Sequence, residues 1–154
     1  MGMAAPRGPR EPMRSRLPAH SAFRDYGDLV ITTDAAEAAQ AYSRGIQLLI
    51  TSSVEAESLL RDAVAADPHF ALAWVALALA VGAPGLGAEH RQFTDRVDTT
   101  LAGATRRERQ HIEVIRLVLG GGDRDRAAVL GREHLREFPR DILVSYVLTS
   151  RALG

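Results

Sequence analysis

The chain contains no cysteine, which excludes disulfides, thiolate nucleophiles and Cys-based zinc centres. It also contains no lysine and no asparagine, so all 19 basic residues are arginine. Arginine suits bidentate recognition of carboxylate or phosphate, yet the codon preferences of a GC-rich genome remove Lys and Asn together, and the bias is read as a mark of origin. Aromatic residues make up only 5%; with Ala and Leu abundant, this favours helices over strands. No window approaches the about 18 continuous apolar residues of a membrane span. Neither sign of charge is in excess: 19 acidic residues balance the 19 arginines, which argues against nucleic acid as an electrostatically driven partner. The glycine clusters match neither a P-loop nor a dinucleotide fingerprint, and Ser52-Ser53 shows no nucleophile elbow. Gly120-Gly121-Gly122 has no strand before it and no Lys after it, so it reads as a turn between helices.

What is present is 154 residues, 46% of them hydrophobic, enough for one domain with a modest core. Residues 1–20 place Pro6, Pro9, Pro12 and Pro18 among Arg7, Arg10, Arg14 and Arg16. They lack the apolar stretch of a secretory signal, and their prolines oppose an amphipathic presequence helix. A disordered tail is expected there, with Met13 an alternative start. Phe23, Tyr26, Leu29, Val30 and Ile31 lack helical spacing and are punctuated by Gly27 and Asp28. They predict an extended segment over 21–33 that packs on the helices behind it.

From there the pattern is helical. The join between two repeats shows between Ala56 and Ala78. Ala56, Ala63 and Ala78 let paired helices approach closely, Leu60, Trp74 and Leu77 fill the gaps, and Pro68, lacking an amide proton, stops one helix before the next begins. Such units of about 34 residues, each a helix–turn–helix, are of the tetratricopeptide type. Seven helices are predicted, over about 34–50, 53–66, 69–81, 88–102, 106–119, 124–137 and 142–153. Capping boxes are expected at Asp34/Glu37, Ser52/Glu55 and Thr105/Glu108, with Asp123 and Asp141 as further caps. The 69–81 helix is apolar nearly all round and must be covered on more than one side. The break after it contains Gly82, Pro84, Gly85 and Gly87. The sixth helix is expected to face its neighbour with Ala128, Gly131, Leu135 and Phe138. The fold expectation is therefore an all-α, tetratricopeptide-like solenoid of helical hairpins spanning 21–154.

Ordered blocks along the chain resemble the start of the tetratricopeptide repeat protein 38 family. They are Arg24-Asp25-Tyr26-Gly27-Asp28, Thr32-Thr33-Asp34, Ala41-Tyr42-Ser43-Arg44-Gly45 and Asp67-Pro68-His69-Phe70-Ala71-Leu72-Ala73. Further on come Arg106-Arg107-Glu108-Arg109-Gln110-His111, Arg132-Glu133-His134-Leu135 and Phe138-Pro139-Arg140-Asp141. The resemblance covers most of residues 24–145. It implies a helical repeat protein of poorly defined function, of which the longer family members continue with further repeats.

Chemistry has few candidates. Glu108-x-x-His111 puts a carboxylate and an imidazole on one helical face, the spacing of a di-iron bundle, but those sites need the motif twice. Glu108 and His111 are thus an acid/base pair only by speculation. A metal site from His90, His111 and His134 is a minor reading, and no metal or cofactor is expected. By analogy with repeats of this type, Tyr42, Ile46, Leu49, Val75 and Leu79 line a concave groove, with Gln47 and Arg107 as polar neighbours. That groove is filled by the chain's own 21–33 segment, by an amphipathic helix of a partner or by a small apolar ligand. The last helix (Ile142, Leu143, Val144, Tyr146, Val147, Leu148) is a dense apolar surface. It either closes its own stack or forms a homodimer through Leu143 and Val147. The functional expectation is a cytoplasmic protein-interaction scaffold with a protein or peptide partner; the alternative is a binder of, or an enzyme acting on, a small hydrophobic metabolite.

Overall fold

The computed structural model describes residues 23–82 and 87–150. The 1–20 stretch, Pro84 and Gly85, and the end of the predicted 142–153 helix lie outside them. The described residues form α1 (Ala36–Ile50), α2 (Ala56–Ala66), α3 (Ala71–Val81), α4 (Ala88–Thr100), α5 (Arg106–Leu119), α6 (Arg124–Glu137) and α7 (Ile142–Ser150). A 3-10 turn at Leu101–Gly103 extends α4. No strand occurs among the described residues, only an isolated antiparallel bridge between Arg24 and Val30. None of these helices is long and apolar enough to cross a membrane.

Consecutive helices pair as α1 with α2, α3 with α4 and α5 with α6; α3 also meets α2 and α5, and α7 packs on α6, α5 and α1. The residues at these joins explain the pairing. Ala56, Ala63 and Ala78 are buried at helix contacts, as is Leu60. A side chain on Gly45 would put its Cβ 2.9 Å from the Leu60 side chain, so glycine sets how closely α1 approaches α2. α3 is buried on almost every side, with Ala71, Leu72, Ala73, Val75, Ala76, Leu77, Ala78 and Leu79 inside, as its all-round apolar sequence requires.

The helix starts divide into two groups. At α5 the Thr105 hydroxyl accepts from the Glu108 amide while Glu108 accepts from the Thr105 amide, closing the expected capping box. Asp123 caps α6 by accepting from the Arg126 amide. The other two boxes do not form. α1 begins after Ala35 without a side-chain cap. Ser52 adopts φ 59° and donates its amide to the Leu49 carbonyl, so it ends α1 instead of starting α2. On α6 the buried residues are Ala127, Gly131 and His134: Gly131 is inside as expected, Ala127 and His134 stand in place of Ala128 and Leu135, and Phe138 is only partly buried. This puts a polar imidazole inside, where hydrogen bonds offset its desolvation.

Candidate functional site

Asp141 sits at the turn into α7 and gathers α5, α6 and α7 around one carboxylate. Its Oδ2 accepts from Arg107 Nη1 at 3.0 Å and faces His134 Nε2 at 2.8 Å, while His111 Nδ1 lies 3.0 and 2.9 Å from Oδ1 and Oδ2. The Val144 amide donates to Oδ1 at 3.3 Å, so Asp141 also caps α7. The four side chains are 1–8% exposed. Burial by itself penalises the charged carboxylate, but His111, then His134 and Arg107, outweigh it and hold Asp141 well below the usual carboxylate range. An acceptor-only carboxylate requires a proton on each facing nitrogen: Nδ1 of His111 and Nε2 of His134. The opposite nitrogen of His111, Nε2, is buried without a hydrogen-bond partner.

His111, His134 and Asp141 each place a ligand atom within 4.8 Å of the others, the donor set a divalent ion uses. Arg107 opposes that use. Its guanidinium already pairs with Asp141 at 3.0 Å, so a divalent ion would be pressed against a buried cation and would have to take the carboxylate from it. The residues present do not fit a metal, and His90, on α4, is not part of the set.

A second carboxylate ties down the segment before α1. Glu108 Oε1 accepts from the Thr32 amide at 2.7 Å and Oε2 from the Thr32 hydroxyl at 2.8 Å, besides the Thr105 amide at 2.7 Å. Arg107 Nη2 donates to the Val30 carbonyl at 2.9 Å. Ile31, 3% exposed, enters the same apolar cluster as Tyr42 and Val147. The Arg140 carbonyl lies 2.1 Å from where a Cβ on Gly27 would stand. Residues 23–33 are thus a strap laid over α5 and the start of α7. It packs on the helices as expected of 21–33, but it is not simply extended, because it turns back at Asp25–Asp28 to bring Arg24 beside Val30.

These contacts relocate several predicted site residues. Tyr42, Ile46, Val75 and Leu79 do not line a groove; they are 0–3% exposed and belong to the core, with Leu49 packed partly buried against it. α7 reaching α1 and the strap carrying Ile31 inward close the inner face. Leu143 and Val147, at 2% and 0% exposure, are consumed within the chain and offer no dimer surface. Glu108 and His111 share a helical face but not a hydrogen bond: Glu108 serves Thr32 and Thr105, and His111 serves Asp141. Of the predicted polar neighbours, Arg107 is in the Asp141 cluster and Gln47 accepts from Arg44. Sequence reasoning missed Asp141 as a hub, reading it only as a cap; the available signal was His134 on the Ala127–Gly131 stripe.

Several openings remain among the described residues, one of about 370 Å³ beside Leu101, Ile112 and Arg116, and two others combine apolar walls with polar groups. Between α5 and α6 a cavity of about 390 Å³ has Val114 and Leu130 as walls, Gln110 and His134 as polar lining, and Arg106 with Glu137 among its charged groups. His134 Nδ1 meets Gln110 Oε1 at 3.2 Å there. Across α2, α3 and α4 a groove of about 340 Å³ is lined by Val64, Pro68, Trp74, Leu77 and Phe93, with Arg61 and Arg96. Trp74 and Phe93 stand 5.8 Å apart, the Arg61 and Arg96 guanidiniums lie over their rings, and Trp74 Nε1 donates to the Pro68 carbonyl at 2.8 Å. No family model, curated protein or solved structure matches the chain.

Proposed function

We propose that this chain is a tetratricopeptide-like module of stacked helical hairpins that acts by binding a protein partner. The observation that carries the reading is the sealing of Arg107, Glu108, His111, His134 and Asp141 inside the chain at 1–8% exposure. These five side chains are committed to architecture, which favours recognition through the outward surface over acid–base chemistry at this cluster. Helix pairing in sequence order, the alanines at the joins and the resemblance to the tetratricopeptide repeat protein 38 family support the hairpin-stack part of the reading. Its place of action on this reading is the cytoplasm. The test is capture by the tagged full chain from native extract, followed by size exclusion. A partner that co-elutes at fixed stoichiometry is expected; a chain that elutes alone under all salt conditions refutes the proposal.

One observation favours a second reading, a small-ligand binder. His134 lines the α5–α6 cavity with Asp141 on its Nε2 and Gln110 on its Nδ1, so a ligand that displaces Gln110 would meet an imidazole already held in place. Chemical shifts of ¹⁵N-labelled histidine during a small-molecule screen test it: a ligand that moves the His134 nitrogens supports it, and an inert His134 removes it.

A further inference from the structure

We infer that the groove across α2, α3 and α4 docks a segment of a protein partner that carries a carboxylate beside apolar side chains, an assignment that rests on the partner-binding reading above. The groove's walls are apolar and aromatic, and the only charged side chains lining it are Arg61 and Arg96. The two arginines are not equivalent. Arg61 is held by Glu57 at 2.8 Å and Glu89 at 2.6 Å, so its charge is answered within the chain. Arg96 is exposed and stacked over Trp74 at 5.9 Å, with no carboxylate in ion-pair reach among the described residues.

A stacked guanidinium keeps its edge donors free for a carboxylate. Trp74 is held in place by its bond to Pro68, so the platform beneath the guanidinium is preorganised and loses little freedom on binding. The site therefore reads one negative charge beside apolar side chains that fit against Trp74, Leu77 and Phe93. Aromatic residues and arginine are the types that carry most binding energy at protein interfaces. The chain's own residues 1–20 have the wrong sign for the groove, with Arg7, Arg10, Arg14 and Arg16 against a single acid, Glu11.

Trp74 is the only tryptophan in the chain, so its emission reports occupancy of this groove directly. The experiment titrates the full chain with an acetylated, amidated octapeptide of leucine and aspartate, and with the same peptide carrying lysine for aspartate. Saturable change with the acidic peptide, absent with the basic one, is expected. Arg96→Glu should weaken the acidic peptide at least tenfold at unchanged thermal midpoint, and Arg96→Lys should keep part of the affinity. Equal binding of both peptides, no saturation with either, or indifference to Arg96→Glu overturns the assignment. Capture from extract separates this failure from that of the broader reading. A partner held equally by wild type and Arg96→Glu removes this groove alone, whereas no partner with either removes the module reading as well.

Discussion

Replacing Asp141 by alanine removes the acceptor on which three cationic or N–H-bearing side chains converge. The largest consequence falls on Arg107, 8% exposed, which loses its one direct ion pair and keeps the Val30 carbonyl and the more distant Asp25 charge. Stranding one member of a buried pair costs about 3–5 kcal/mol. The His111 and His134 donors are orphaned in the same place, and each unsatisfied buried group costs about 1–3 kcal/mol. These terms share one site and do not add, so a net loss of about 5 kcal/mol is expected. Single domains are stable by about 5–15 kcal/mol, which puts Asp141→Ala near the edge of unfolding at room temperature. Asp141→Asn keeps an acceptor and the cap on α7 and should lose about 3 kcal/mol, the low end of the buried-pair range. Urea denaturation followed by ellipticity measures both, and adding Arg107→Met to Asp141→Ala should recover part of the loss. The pH dependence has a definite sign. Because the folded carboxyl is held below its usual range, its contribution is complete above the unfolded value of about 3.9 and is lost as pH falls towards the folded one. The gap between wild type and Asp141→Ala should therefore narrow on acidification from about pH 5. A loss below about 1 kcal/mol for Asp141→Ala at neutral pH, or a gap that widens in acid, refutes the hub.

Further outcomes follow from the same geometry. Gly27→Ala drives a methyl against the Arg140 carbonyl and should lift the strap, seen as faster hydrogen exchange at the Ile31 amide, which is bonded to the Phe23 carbonyl; unchanged protection there contradicts it. Ile46→Asp and Leu143→Glu each bury a charge at 2–3% exposure and should lose about 4 kcal/mol or more of stability; a fully folded helical spectrum for either would show that its site opens to water. Burial, joined by the nearby Asp25 and Asp141 charges, pushes the Tyr42 hydroxyl well above its ordinary range. In an alkaline absorbance titration one tyrosine should ionise only as ellipticity collapses, and Tyr42→Phe should abolish that late step.

The seven helices were legible because apolar spacing and Pro68 act locally, and the Thr105/Glu108 box because both partners lie within one turn. Ser52 shows where local reasoning fails. S-x-x-E is present, but ending α1 requires a left-handed residue, and Ser52 takes that conformation before its hydroxyl can cap anything. The groove expectation failed for a tertiary reason: Tyr42, Ile46, Val75 and Leu79 have the same sequence signature whether they face a ligand or the chain's own core. Leu143 and Val147 looked unpartnered because the apolar cluster they join draws on α1 and α5, which lie well back in the sequence. Asp141 as a hub was invisible for the same reason, since Arg107 and His111 are 34 and 30 positions away. The Trp74 groove had a partial signal, an aromatic residue at a helix join, but Phe93 and Arg96 come from the next helix.

The strap also bears on how the chain acquires its structure. An open array of repeats behaves as a one-dimensional series in which each unit is steadied only by its neighbours and the outer ones fray first. Here Glu108 holds Thr32 across 76 positions, Arg107 holds Val30 across 77, and Asp141 brings in α7. These clasps form only after long loops close, an entropic cost that slows folding relative to a chain of local contacts. On a ribosome, the strap must wait for residues near 108 and 141 to emerge before it finds its seat. Once it is seated, the first and last described helices melt together, so unfolding should be a single cooperative event and not a progressive loss from either side.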